Sequence, residues 1–218
     1  MEEHNRLLMQ SRVEALTSQM NPHFLFNTLN TISALTRTEP DRAREVLLKL
    51  SNILRGRLKS QVNLIPLRQE LDFLNDYLDI EVVRFGKKKL RIYKNIEPET
   101  LPLVVPNMLL QPLVENALRH GIAPKIEGGI LQIDAYQKQG RLHLRVKDNG
   151  VGIPPERQKI IFNSGIGISN VLERLKVIYG EEFRFDVKSE PSRGTEIFIE
   201  IPELNSLPGA QPAEVVAS

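Results

Sequence analysis

The stretch LQPLVENALRHG, residues 110–121, has the spacing of a helix with one apolar and one polar side. Its apolar side comprises Leu113, Val114, Ala117 and Leu118, and its polar side gathers Glu115, Asn116, Arg119 and His120. Oxygen ligands beside cationic side chains suit a magnesium-bound triphosphate, although an ordinary solvated helix face has the same composition. The sequence therefore predicts a helix from about Asn107 to His120 with a candidate phosphate site on one side.

Alternating apolar and polar residues around this helix predict strands. They fall at residues 90–96, 130–137, 141–147, 183–189 and 195–201, with a tight turn at 138–140 and a further helix at 168–179. Because a half-apolar sheet must bury one face against helices, residues 87–203 are expected to form an α/β sandwich within an α+β chain. Residues 204–218 are expected to be a flexible tail.

The first 86 residues are instead expected to be helical throughout. Met9, Val13, Leu16 and Met20 form a seam for a partner helix, and Ala43, Leu47, Leu50 and Leu54 form the stripe of a second helix, so the two predict a helical hairpin. A third helix carries Leu67, Leu71, Leu74, Leu78 and Val82, and Gly86 is expected to end it. We place the boundary between two domains after Gly86.

Composition excludes several classes of protein. The 218 residues include 29 basic and 27 acidic side chains, a net charge of only +2, so binding of nucleic acid by bulk electrostatics is not expected. The chain has no cysteine, which excludes disulfides, thiolate metal sites and a thiol nucleophile, and which fits a reducing compartment. No apolar run approaches the ~20 residues of a membrane span.

Two glycine-containing stretches are candidate ligand sites. Asp148-Asn-Gly150-Val-Gly152 follows a predicted strand, so a carboxylate lies beside glycines that let the backbone approach a flat ligand, although Asp-Asn-Gly is also an ordinary turn. Gly165-Ile-Gly167 opens a predicted helix whose free N–H groups can bind phosphate. The spacing does not match a dinucleotide-binding fingerprint, because no third glycine follows.

His23 is the fourth candidate, within Asn21-Pro22-His23-Phe24-Leu25-Phe26-Asn27. A lone histidine is usually structural, but Asn27 and Asn30 continue the same helical side where an uninterrupted bundle would carry leucine. Pro22 either kinks this helix or, with Asn21 as its cap, begins a new one.

The four motifs together resemble the LytS-type sensor histidine kinases over roughly residues 13–202. The run from Leu16 to Asn30, the stretch LQPLVENALRHG, Asp148 to Gly152 and the late Gly194-Thr195 occur in the order of that family. The resemblance implies an N-terminal domain, residues 1–86, that dimerises as a four-helix bundle and carries the phosphoacceptor. It implies an ATP-binding domain of the gyrase, histidine kinase and MutL type over residues 87–203.

The resemblance also implies roles for individual residues. His23 would be the phosphorylated histidine, with Asn27 one turn further on, and Asn116 would bind Mg²⁺ while Glu115 orients a metal-bound water. Asp148 would accept from the adenine amino group and Thr195 would support that carboxylate. The remaining contacts would be Arg119 and His120 on the phosphate side, Gly150 and Gly152 along the base, and Gly165 and Gly167 beside the phosphates.

The resulting expectation is an ATP- and Mg²⁺-dependent protein-histidine kinase that forms a homodimer and passes its phosphoryl group to an aspartate of a response regulator. It would be cytoplasmic, without a nucleic-acid partner, and connected to a membrane only through a sensor region absent from this chain. Phe24 stands where the commonest histidine kinases have an acidic residue, so the general base is unassigned, and only twelve residues separate Gly152 from Gly165. The alternatives are a catalytically silent ATP-binding dimer and a serine kinase of the anti-sigma type.

Overall fold

The residues described in the first compact unit of the chain lie mainly in helices. The computed structural model describes residues 22–59, 64–86, 88–154, 156 and 166–204. Of residues 56–59 and 166 it describes the backbone alone. Among these, residues 22–59 and 75–86 form the first unit, and residues 64–74 and 88–204 belong to the second. The stripe expected upstream of Pro22 lies outside the described residues, and so does any kink at that proline.

Two consecutive helices pack together in the first unit. Helix α1 spans Pro22–Thr38 and helix α2 spans Pro40–Lys59, and the N–H of Glu39 donates to the Leu35 carbonyl between them. The buried face of α2 differs from the predicted one, because Leu47 is 51% exposed. Several apolar residues crowd this helix, and packing selects the stripe at spacings of three and four that comprises Ala43, Val46, Leu50 and Ile53.

Helix α3, Leu67–Phe85, ends as predicted at Gly86. Gly86 has φ +85° and its N–H donates to the Val82 carbonyl at 3.0 Å. The first residues of α3 nevertheless belong to the second unit, so the boundary expected after Gly86 differs for residues 64–74. The physical reason is a short ladder in which strand β1, Leu64–Pro66, pairs antiparallel with strand β3, Val104–Pro106.

A five-stranded sheet forms the centre of the second unit. Its strands are β2 (Leu90–Ile96), β4 (Gly129–Lys138), β5 (Arg141–Asp148), β6 (Arg184–Glu190) and β7 (Gly194–Pro202). Their order is β2-β4-β5-β7-β6, with β2 parallel to β4 and the other pairs antiparallel. Alternate residues on one face are buried, among them Leu131, Ile133, Leu144, Val146, Ile197 and Ile199.

The second unit also contains two helical segments, which complete the predicted α+β sandwich. The segment expected at 107–120 begins later, as α4, Gln111–Asn116, and changes at Ala117 into a π-helical turn, Ala117–Ile122. Helix α5 spans Ile166–Tyr179. A 3₁₀ turn at Pro98–Thr100, between β2 and β3, was not predicted from the sequence.

The last described residue, Leu204, is hydrogen-bonded to the second unit. Leu204, expected to lie in the tail, accepts a hydrogen bond from the Val104 N–H at 2.8 Å, and residues 205–218 lie outside the described residues. Across the described part of the chain, no helix has the length and hydropathy required to span a membrane.

Candidate active site

His23 presents an accessible imidazole on α1. Its side chain is exposed, and Asn27 brings Nδ2 to 3.1 Å from Nδ1 and 3.2 Å from Nε2 of the ring. An amide N–H can donate only to a ring nitrogen that carries a lone pair, so Asn27 can orient the imidazole through such a nitrogen. Neutral imidazole is the nucleophilic form of this side chain.

Phe24, the residue after His23, packs within the helical unit. Its ring centroid lies 4.9 Å from that of Tyr77 on α3, with the ring planes inclined at 42°. Tyr77 is itself 4% exposed. Phe24 therefore anchors the helical turn that carries His23.

Asp148, the last residue of β5, is a buried hydrogen-bond acceptor. Its side chain is 3% exposed, the Gly150 N–H donates to Oδ1 at 2.8 Å, and the Thr195 N–H donates to the same carboxylate. Burial raises the pKa of Asp148 to about 6, while these N–H groups and the charge of Lys125 act in the opposite direction. A carboxylate has more acceptor sites than these two donors occupy, so it can also accept from a ligand N–H.

Gly121 and Gly150 leave no room for a side chain beside this carboxylate. A Cβ on Gly121 would lie 2.6 Å from Asp148 Oδ1, and a Cβ on Gly150 would lie 2.2 Å from the Gly121 carbonyl carbon. The Val151 N–H donates to the Gly121 carbonyl at 2.9 Å, which joins the end of the π-helical turn to the loop after β5. Two backbones thus meet directly at the buried acceptor.

Hydroxyl groups join that loop to the β6–β7 hairpin. The Ile153 N–H donates to Ser189 Oγ at 2.8 Å, and Ser189 Oγ lies 2.8 Å from Thr195 Oγ1. Gly152 has φ +67°, and a Cβ there would lie 2.0 Å from the Glu190 carbonyl oxygen. The side chain and backbone of Thr195 therefore connect Asp148 to the loop that contains Gly152.

Asn116 and Glu115 lie at the end of α4, next to the start of α5. The Asn116 Nδ2 atom lies 3.2 Å from the position of a Cβ on Gly167, so glycine permits this approach of the two helices. Gln111 Nε2 donates to Glu115 Oε1 at 2.9 Å, one helical turn apart. An amide oxygen and a carboxylate at this end fit a magnesium ion that takes its other ligands from phosphates and water.

Arg119 and His120 lie on the π-helical turn with exposed side chains. Desolvation, and secondly the charge of Arg119, lower the pKa of His120, so its neutral form is favoured. One permanent cation and one neutral imidazole therefore follow Asn116 along the chain.

The structure brings most of the predicted residues of the second unit together in two groups. Asp148, Gly150, Gly152 and Thr195 share one network, and Asn116 lies beside Gly167, whereas Gly165 lies outside the described residues. The sequence interpretation missed Gly121, although its position directly after His120 could have indicated it. It also missed Asn149, whose Oδ1 accepts from the Ile130 N–H at 2.7 Å and whose carbonyl accepts from Lys125 Nζ at 2.9 Å.

Two family models match the chain in the order of its two units. A model described as histidine kinase matches residues 11–90. A model described as histidine kinase-, DNA gyrase B-, and HSP90-like ATPase matches residues 106–205. A solved histidine kinase domain from a blue-light activated kinase of Erythrobacter litoralis has the same fold, with a TM-score of 0.51 and 19% identity over 78% of this chain and 80% of that one.

Curated relatives have higher sequence identity. The sensor protein LytS of Bacillus anthracis is 41% identical over 209 residues, which cover 91% of this chain and 35% of LytS. The sensor histidine kinase YpdA of Escherichia coli is 40% identical over 199 residues, which cover 88% of this chain and 34% of YpdA. The chain thus spans about a third of the length of these relatives. With both family models matched and these identities over most of its length, the chain belongs to the LytS-type sensor histidine kinases.

Proposed function

We propose that this chain is the kinase core of a two-component sensor: it phosphorylates His23 from ATP and passes the phosphoryl group to an aspartate of a response regulator. The observation that carries the proposal is the buried Asp148 carboxylate, in contact with a backbone that only glycine permits, in a chain that also presents an exposed histidine. A buried acceptor of this kind recognises the exocyclic amino group of adenine, and the exposed imidazole is the acceptor of phosphate.

The labelling step exchanges one bond to phosphorus for another. A lone pair of the His23 imidazole bonds to the γ-phosphorus, the bond from that phosphorus to the bridging oxygen breaks, and ADP leaves with the electron pair. The remaining ring proton passes to solvent, to which His23 is exposed. Asn27 acts as a positioning residue that orients the ring.

The polar end of α4 would receive the triphosphate. Asn116 and Glu115 would hold Mg²⁺, which when bound offsets the negative charge of the phosphates. Arg119 and His120 would contact phosphate oxygens on the same side. Gly165 and Gly167 would flank the phosphates where α5 begins.

On the base side, Asp148 would accept from the adenine amino group. Thr195 would support its carboxylate, and Gly150 and Gly152 would line the base. Glycine at these two positions lets the loop after β5 pack directly on the backbone of Gly121 and Glu190, which holds the loop beside Asp148.

A homodimer accounts for the apolar residues that the helical unit leaves exposed. These are Phe26, Leu29, Leu47 and Leu48, with exposures of 67%, 45%, 51% and 59%. They lie on α1 and α2, the helices that the family places in a dimeric bundle. A second copy of this chain would cover them.

The proposal is tested by incubating the protein with γ-labelled ATP and Mg²⁺ and then adding an isolated receiver domain of a response regulator. We expect a label on the kinase that is labile in acid and stable in alkali, and its loss from the kinase as the receiver acquires it. ATP binding without any label would instead support the silent ATP-binding dimer. A label stable in acid would indicate a serine or threonine acceptor and would contradict the proposal.

A further inference from the structure

Glu70 is a buried carboxylate that the proposed reaction does not use. It lies on α3 within the second unit and is 2% exposed. Its Oε2 accepts from the Met108 N–H at 2.9 Å, and its Oε1 accepts from the N–H groups of Leu110 and Gln111 at 2.9 and 3.4 Å. Burial raises the pKa of Glu70, and these backbone donors oppose that effect.

The backbone that donates to Glu70 is the loop directly before α4. Met108 in this loop has φ +58°, a conformation that residues other than glycine adopt only when the surroundings hold them. Leu110, at the N-cap position of α4, has no side-chain oxygen and makes no capping hydrogen bond. Glu70 therefore acts as the cap of α4 from a distant part of the sequence.

Arg174 on α5 holds the same loop from another side. Its guanidinium Nη1 donates to the carbonyl of Asn107, a residue that is 8% exposed. A carboxylate thus binds the N–H groups of the loop while a guanidinium binds its carbonyl oxygen.

A continuous set of contacts leads from Glu70 to the polar end of α4. Glu70 accepts from the Gln111 N–H, and the Gln111 side chain donates to Glu115, the neighbour of Asn116. Because α4 has only six residues, a shift of its first turn moves its last. The π-helical turn that continues α4 to Gly121, beside Asp148, is held separately, because the Val151 N–H donates to the Gly121 carbonyl at 2.9 Å. The donors to Asp148, Gly150 and Thr195, are not donors to Glu70.

We propose that Glu70 is a positioning residue for the magnesium end of α4, acting through the loop at 107–110 and through Gln111. The inference rests on the proposed function, since it gives Glu115 and Asn116 their role at the metal. Removing the Glu70 charge should weaken the contribution of Mg²⁺ to nucleotide binding and should leave recognition of the base intact. A residue that only stabilises the fold would affect both equally.

The test compares Glu70→Gln with Asp72→Asn, which removes an exposed carboxylate from the same helix. ADP affinity is measured by calorimetry with EDTA and with Mg²⁺, and the rate of labelling with γ-labelled ATP is measured as a function of Mg²⁺. For Glu70→Gln we expect a ratio of the two ADP affinities about tenfold smaller and a higher half-saturating Mg²⁺, with metal-free ADP affinity within about twofold of wild type. Asp72→Asn should match wild type in every measurement.

Arg174→Gln provides a second variant should Glu70→Gln fail to fold. It should reduce the same ratio by a smaller factor, and the double variant should lose less than the product of the two factors because both residues hold one loop. Lys176→Gln, on the exposed side of the same helix, is its control. An unchanged ratio in both variants, or an equal loss with and without Mg²⁺, would overturn the role of Glu70. Wild-type protein that binds no ADP would contradict the proposed function itself.

Discussion

At Asp148, folding and ligand binding make opposite demands on one carboxylate. Burial favours the neutral acid, whereas acceptance of a hydrogen bond from an amino group favours the carboxylate. Burial raises its pKa only to about 6, because two backbone N–H groups donate to the carboxylate and oppose the rise. The ionised form therefore predominates at neutral pH. In the proposed site, the ionised form is the one that accepts from the ligand.

The stability of the fold should depend on the ionisation of Asp148. Its pKa is about 6 in the folded chain and 3.8 ordinarily, so the folded state binds this proton more tightly than the unfolded chain does. This difference in pKa contributes about 3 kcal/mol to the free energy of unfolding. The contribution is fully present below a pH of about 4 and is lost as the pH rises through about 6. Chemical denaturation from pH 4 to pH 8 should show that loss in wild type and not in Asp148→Asn. If the free energy of unfolding of the two proteins changed in parallel with pH, this role of Asp148 would be contradicted.

Nucleotide affinity should respond to pH in the opposite sense. Below about pH 6 the carboxyl group becomes protonated and loses acceptor capacity, so at neutral pH wild type should bind ADP about tenfold more tightly than Asp148→Asn, and at pH 5 this advantage should nearly disappear. Calorimetry of both proteins at the two pH values separates this effect from titration of the ligand. Equal ADP affinities of the two proteins at neutral pH would show that Asp148 does not meet the ligand, and an advantage of the same size at pH 5 would show that the charge of the carboxylate is not its cause.

Gly121→Ala should abolish nucleotide binding at a moderate cost in stability. The added Cβ would lie 2.6 Å from Asp148 Oδ1, so the carboxylate or the π-helical turn must move. Overpacking of this kind costs about 1 to 3 kcal/mol, while the displaced acceptor no longer fits the base.

Gly180→Ala is the matched control for Gly121→Ala. Gly180 ends α5 with φ +59°, and a Cβ there would meet no atom within 4 Å. The control should therefore be strained without losing ADP affinity. Equal ADP affinity in both variants would contradict the importance of the close approach at Gly121.

At the scale of elements, α2 shows that one helix can carry two apolar stripes that differ in exposure. Val46 is 2% exposed and lies on the stripe that packs within the chain, whereas its neighbour Leu47 is 51% exposed. Hydrophobic periodicity alone does not distinguish them, because both stripes have helical spacing. Tertiary contacts decide which one is buried in a single chain.

The two stripes should respond differently to substitution. Val46→Ala should lower the free energy of unfolding by about 1 to 3 kcal/mol through a cavity, with little effect on self-association. Leu47→Ser should leave the unfolding of the single chain nearly unchanged and should weaken the dimer. Denaturation and sedimentation velocity across a concentration series measure the two effects, and a dimer unaffected by Leu47→Ser would exclude this face from the interface.

Local patterns predicted the elements of the second unit well where they control the structure. The apolar and polar alternation in β4 and β5 follows from local chemistry. So does the turn between these strands, in which Gln139 and Gly140 both have positive φ. The β1–β3 ladder and the capping of α4 by Glu70 depend on residues about 40 positions apart, so no local window contains them. The π-helical turn has the same local composition as an α-helix, and its close approach to Asp148 and Gly150 at Gly121 joins residues that are distant in the sequence.

At the scale of the whole molecule, the two halves of the proposed reaction lie in separate compact units. His23 and Asn27 belong to the first, and Asp148 and Asn116 belong to the second. Both sets of residues could be proposed from the sequence because each occurs in a short run, and the order of the runs carries the resemblance to the family. The labelling step requires the units to bring His23 and the γ-phosphate together, so its rate depends on the whole molecule.

Mapping of the phosphoryl group tests directly whether His23 is the phosphoacceptor. His23→Gln, with the matched substitutions His120→Gln and His143→Gln, is incubated with γ-labelled ATP and Mg²⁺, and the labelled peptide is identified under alkaline conditions. We expect one labelled peptide in wild type, the one that contains His23, complete loss of label in His23→Gln with ADP affinity within about twofold of wild type, and a label still on His23 in the other two variants at whatever rate they retain. Label that persists in His23→Gln, or that maps to a different histidine, would contradict the assignment of His23 as the phosphoacceptor.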